Sequence, residues 1–88
     1  MAISAGHVTV EDTATAVASG AERFAPNRII IKNVDGSEDV FLGGSDVTVE
    51  EGFKLEPGDL FEWSPANTDT LYGVVAENAT AEVHVLTL

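Results

Sequence analysis

Apolar and polar side chains alternate with a period of two along most of the chain, and no stretch long enough for a helix carries an apolar stripe at helical spacing. A strand throws successive side chains to opposite faces, so this pattern specifies short strands packed by one face. Val8-Thr9-Val10 opens the series, and Thr13 to Ala18 alternates strictly, although its alanines would also suit a helix. Ser19 to Glu22 reads as a loop, and Ala25-Pro26-Asn27 punctuates the entry to the next segment. Arg28 to Asn33 is the strongest strand, with three β-branched isoleucines in succession. If Ile29 and Ile31 face the core, Arg28, Ile30 and Lys32 share the opposite face.

Turn chemistry divides the rest. Asp35-Gly36 reads as the tight turn of a hairpin whose returning strand is Asp39 to Leu42. Gly43-Gly44 interrupts the pattern, and Val47-Thr48-Val49 reads as a short extended piece. Gly52 to Leu55 is a brief strand running into Pro57-Gly58, where Pro presets φ and Gly supplies the positive φ of the next turn position. Asp59 to Trp63 follows, closed by Ser64-Pro65-Ala66-Asn67. Thr70 to Ala76 and Thr80 to Leu86 are the last strands, joined across Glu77-Asn78-Ala79. In the final one Val83 and Val85 share a face, and Glu82, His84 and Leu86 the other.

Seven to nine short strands within 88 residues predict an all-β, single-domain antiparallel β-sandwich or jelly-roll-like barrel. No segment has room for a βαβ crossover, which excludes a parallel sheet. A chain of this length buries roughly 63% of its unfolded surface, enough for one thin core. The small, weakly patterned residues at the start read as an N-terminal arm that orders against a partner. The domain organisation is therefore residues 1–12, an arm with the first short strand, and residues 13–88, the sandwich.

Fifteen acidic side chains stand against four basic ones, for a formal charge of −11. Phosphate-backbone binding needs Lys and Arg to displace counterions, so nucleic acid is not an expected partner. Arg23, Arg28, Lys32 and Lys54 are the cations, confined to the middle of the sequence. No apolar run exceeds three residues, as in Ile29 to Ile31, so neither a membrane span nor a signal-peptide core is expected. The absence of Cys excludes disulfides, thiolate nucleophiles and Cys-ligated zinc.

Each candidate for chemistry has a simpler explanation. Glu82 and His84 lie two apart on a strand and could share a metal, but a surface carboxylate beside an imidazole is too common to identify a site. Ser45 and Ser64 sit in turns without the base and orienting group that a nucleophilic serine needs. Glu11-Asp12, Glu38-Asp39 and Glu50-Glu51 are neighbours pointing to opposite sides of an extended chain, whereas glycosidase carboxylates face each other across a cleft. Asp35 to Asp39 lacks the spacing of a twelve-residue calcium loop. The Pro-Gly-Asp turn at 57–59 is like that of cupins but has no clustered histidines beside it. Gly43-Gly44 is followed by neither Lys nor a helix that would cradle phosphate. Asn78-Ala79-Thr80 matches the N-glycosylation pattern, a coincidence in a chain read as lacking a signal peptide. The expectation is a chain with no catalytic, cofactor-binding or metal-binding residues.

The aromatic residues offer more. Phe24, Phe41, Phe53, Phe61, Trp63 and Tyr72 are natural fillers of a thin core. Phe61 and Trp63, however, share one face of their strand while Leu60 takes the other, leaving both faces apolar. In a two-layer domain one such face needs an external cover. The expected partner-facing residues are therefore Leu60, Phe61 and Trp63, together with the arm Met1, Ala2, Ile3, Ser4, Ala5, Gly6 and His7.

Several segments also resemble a known group of proteins. They are Val8-Thr9-Val10, Thr13 to Val17, Arg28 to Asn33, Val40-Phe41-Leu42-Gly43-Gly44-Ser45-Asp46-Val47-Thr48, Gly52 to Asp59, Leu71 to Ala76 and Ala81 to Leu86. Over about residues 8–86 the chain resembles small all-β virion proteins of tailed bacteriophages, especially capsid decoration and head-associated proteins. The shared positions are turn and core signals, so no functional residue carries over. The resemblance implies a non-enzymatic head decoration (cement) protein, made in the bacterial host cytoplasm and bound to the outer capsid surface, which it stabilises. Its partners would be the major capsid protein, copies of itself, often as a trimer, or both, with no cofactor and no membrane. The alternatives are a tail, fibre or neck accessory virion protein, or a small carbohydrate-binding β-sandwich module using exposed aromatics.

Overall fold

A computed structural model describes residues 4–19, 28–64 and 70–88. These residues form eight strands and no helix: β1 (Ser4–Val10), β2 (Thr15–Ser19), β3 (Ile29–Asn33), β4 (Val40–Gly43), β5 (Phe53–Leu55), β6 (Leu60–Trp63), β7 (Thr70–Val74) and β8 (Ala81–Thr87). The expected loop at 19–22 starts where β2 ends. Its remainder, the 25–27 segment and most of the 64–67 turn lie outside the described residues.

The pairings nest. β4 pairs with β5, β3 with β6, β2 with β7 and β1 with β8, all antiparallel, like one long hairpin closed at β4–β5. Two more antiparallel pairings, β3 with β8 and β4 with β7, roll that hairpin into two four-stranded sheets. The first sheet runs β1-β8-β3-β6 and the second β2-β7-β4-β5. This is a jelly roll, the arrangement that two Greek keys generate from eight strands, and the expected antiparallel sandwich holds.

Alternation builds the core. Ile29 and Ile31 of β3, Val10 of β1 and Val83 of β8 point inward from the first sheet, against Val40 and Leu55 of the second, and each is at most 1% exposed. Each such side chain contributes about 1.5–3 kcal/mol on leaving water. The sheets approach closely at Gly73 of β7, where a Cβ would stand 3.4 Å from the Val10 side chain of β1 in the other sheet. Pro57-Gly58 forms the expected turn, with Gly58 at φ +90° and the Asp59 N–H donating to the Glu56 carbonyl at 2.9 Å.

Three expectations change. Asp35-Gly36 does not close a hairpin: β3 and β4 belong to different sheets, so the chain turns there to cross between layers. Asn33 pins that crossing, fully buried at the end of β3. Its side-chain Nδ2 donates to the carbonyls of Glu38 and Leu55, both at 2.8 Å, and its Oδ1 accepts from the Asp35 N–H at 3.0 Å. Val47 to Val49 is no strand but part of the long β4–β5 connection, where Val47 packs over Gly43 and Gly52. Residues 4–7, expected to stay apart from the sandwich as an arm, continue β1 and pair with β8 of the same chain from Ser4↔Thr87 onward. Met1, Ala2 and Ile3 lie outside the described residues.

Candidate docking surface

The register decides what the outer face of the first sheet presents. β1, β8, β3 and β6 bury Val10, Val83, Ile31 and, partly, Phe61, so the alternate residues face outward. One outward row reads Ala5, Leu86, Ile30 and Glu62, and the next His7, His84, Lys32 and Leu60. Ala5, Ile30, Leu60 and Leu86 thus form an apolar centre. A shallow groove of about 290 Å³ runs over it, with Lys32 and His84 among its lining residues. Leu60 is 65% exposed, the most exposed large apolar side chain among the described residues.

Charged groups frame this centre and balance one another. Arg28 Nη1 meets Glu62 Oε2 at 3.1 Å, and His7 Nδ1 meets Glu82 Oε2 at 2.6 Å. The rings of His7 and His84, directly opposed across β1 and β8, lie 6.0 Å apart. With neutral imidazoles the face holds Arg28 and Lys32 against Glu62 and Glu82, a formal charge of zero. The other described residues carry eleven carboxylates against Lys54 alone. The acidity of the chain is therefore excluded from one face, and that face has an apolar centre. Depletion of charge around an apolar patch characterises the buried core of protein interfaces.

The sequence-based interface residues fall into two groups. Ala5, His7 and Leu60 meet on this face, although they come from opposite parts of the sequence and from the two edge strands of the sheet. Gly6 lies in β1 beside the groove, and Ser4 begins the same strand. Phe61 and Trp63 turn the other way and pack, half-buried, against the core. Phe61 also meets Phe53 of β5 with ring centroids 5.4 Å apart, closing the side of the sandwich. The apolar character on both sides of β6 thus divides into core filling by Phe61 and Trp63 and an open contact at Leu60. Ile30, Lys32, His84 and Leu86 were missing from the expected interface. Their outward orientation was readable from alternation, but only the β3–β8 register sets Ile30 opposite Leu86.

Three of the carboxylates weighed for chemistry, Glu82, Asp35 and Asp12, have partners within the chain. Glu82 and His84 do share the outer face, but the Glu82 carboxylate engages His7. The Asp35 carboxylate accepts from the N–H groups of Ser37 and Glu38 at 3.0 and 2.8 Å, capping its own loop. Those bonds, Ser37 first and Glu38 second, hold its carboxyl below the usual aspartate value. Asp12 accepts from the Asn78 N–H at 2.9 Å, where Asn78 turns the chain at φ 65°. Among the described residues no three His, Asp or Glu side chains converge as metal ligands, and no helix is long and apolar enough to cross a membrane.

No protein-family model matches the chain, and a search of curated proteins finds no match either.

Proposed function

We propose that this chain is a non-enzymatic structural protein of a tailed bacteriophage, a head decoration protein that binds the outside of the capsid and stabilises it. The observation that carries this reading is the outer face of the first sheet, apolar at Ala5, Ile30, Leu60 and Leu86 and free of net charge in a chain of −11. The resemblance of residues 8–86 to small virion proteins supplies the class of partner. Mechanically, the jelly roll is a rigid platform and the face is what it presents. Docking there would remove the apolar centre from water while the acidic remainder of the surface stays hydrated. A patch this small gives modest affinity per copy, and many copies on one lattice compensate through multivalency.

The test is co-sedimentation of the purified protein with capsid shells of the encoding phage that lack it. Wild type should pellet with the shells, and Leu60→Glu should bind at least roughly tenfold more weakly, as expected for a central apolar anchor. Failure of wild type to bind shells, together with its absence from the mass spectrum of purified heads, would overturn the assignment. Recovery from separated tails would move it to a tail or neck component.

A further inference from the structure

A sandwich of two open sheets has four edge strands, and each exposes a row of unpaired backbone groups that other chains can join. Three of the four edges are guarded. β2 carries a bulge at Val17, between Ala16 and Ala18. β5 is three residues long and bears Lys54. β6 is four residues long and bears Glu62. β1 has none of these protections. It runs seven residues, Ser4–Val10, in unbroken register with β8, and it contains no Asp, Glu, Lys, Arg or Pro.

Hydrogen bonds elsewhere in the sheet show which β1 groups face the free edge. The N–H and C=O of Asn33 pair toward β6, with Asp59 and Gly58, while the Val34 N–H reaches back to Glu82 and the Leu88 N–H to Arg28. Backbone direction alternates along each strand, so β8 turns Val83, Val85 and Thr87 toward β1. On β1, Gly6 and Val8 therefore bond inward to β8, and Ala5, His7 and Thr9 point both backbone groups at the open edge.

We propose that β1 is a self-pairing edge, joining β1 of a second copy antiparallel about a twofold axis at His7. Three features favour a second copy as the occupant. First, the strand is uncharged, so pairing with itself sets no carboxylates together in a chain that otherwise repels its own copies. Second, a twofold at His7 pairs Ala5 with the partner's Thr9, so every outward-facing amide and carbonyl from 5 to 9 gains a mate. Third, the same register sets the partner's Val8 opposite Gly6. Gly6 has nothing within 4 Å of where a Cβ would be, and the hollow beside it, about 230 Å³, is lined by Val8, Val17, Val85 and Thr87. Gly6 and Val8 would form a non-hydrogen-bonded pair, the closer of the two pair types, which brings the valine over that hollow. The dimer would join the two outer faces, each of zero formal net charge, into one eight-stranded surface. This inference does not depend on the capsid assignment.

Sedimentation equilibrium of the full chain across the micromolar range tests it. Wild type should show a monomer–dimer equilibrium. Thr9→Lys, which places a charge on an exposed edge residue, should weaken it at least roughly tenfold while circular dichroism stays unchanged. His7→Cys in this cysteine-free chain should form a disulfide dimer under mild oxidation, and Thr48→Cys on the far side should not. A chain that stays monomeric throughout overturns the proposal. So does a dimer that Thr9→Lys leaves intact, or one in which His7→Cys fails to cross-link.

Discussion

The two sheets solve the same problem differently. Each carries apolar side chains on the face turned away from the core: Phe41 and Val74 on the second sheet, Ile30, Leu60 and Leu86 on the first. On the second sheet the chain supplies its own cover. The β4–β5 connection folds back so that Val47 lies against Gly43, with Gly52 pressed onto Phe41, and Val74 is only 5% exposed. On the first sheet no described residue crosses the outer face, and Leu60 stands 65% exposed. One apolar outer face is covered by the chain itself, and the other stays open among the described residues. The cover on the second sheet is the β4–β5 connection, residues 44–52, which returns over its own sheet.

The strongest way to break this comparison is to pry off the cover. A Cβ at Gly52 would stand 2.7 Å from Phe41 Cβ and 3.0 Å from the Thr48 carbonyl oxygen, so Gly52→Ala must lift the connection. Overpacking of this kind should cost about 1–3 kcal/mol, read as a lower denaturation midpoint. A second effect separates local change from global change. The Asp35 carboxyl, held low by the Ser37 and Glu38 N–H groups, titrates below its unfolded value. Its contribution is complete above the unfolded aspartate range and is lost as pH falls through the folded value. Asp35→Asn should therefore flatten the acid limb of the stability profile in urea titrations and be the less stable of the two proteins at neutral pH. The smallest effect is on the open face: Leu60→Thr should change stability by less than about 0.5 kcal/mol, because little of the side chain is buried before docking. A large loss of stability from Leu60→Thr would mean that the face is already covered within the monomer.

Much of the fold was legible because strand formation is largely local. The Ile29-Ile30-Ile31 run, the alternation through Glu82-Val83-His84-Val85-Leu86 and the Pro57-Gly58 turn each placed an element or bend within a residue or two. The failures share one cause. Asp35-Gly36 announces a change of chain direction, but the same dipeptide serves a hairpin within a sheet or a crossing between sheets. The buried Asn33, bonded to Leu55 across the sandwich, decides for the crossing, and a partner 22 residues away leaves no mark in the local pattern. Val47 to Val49 alternates like a strand yet has no strand to pair with, so Val47 covers Gly43 and Gly52 instead. The candidate face was half visible for the same reason. Leu60 stood out because its strand is apolar on both sides, whereas Ile30 and Leu86 look like isolated outward residues until two strands are set side by side.

The amino-acid sequence by itself determined that this chain is made of short strands and where most of them run. Alternation, β-branching and turn chemistry act over a few residues and need no distant contact. Only the tertiary structure decided which strands are neighbours, hence the jelly roll, the unguarded β1 edge and the charge-balanced face. Those follow from long-range register, where burial against the opposite sheet overrides any preference that a single segment carries.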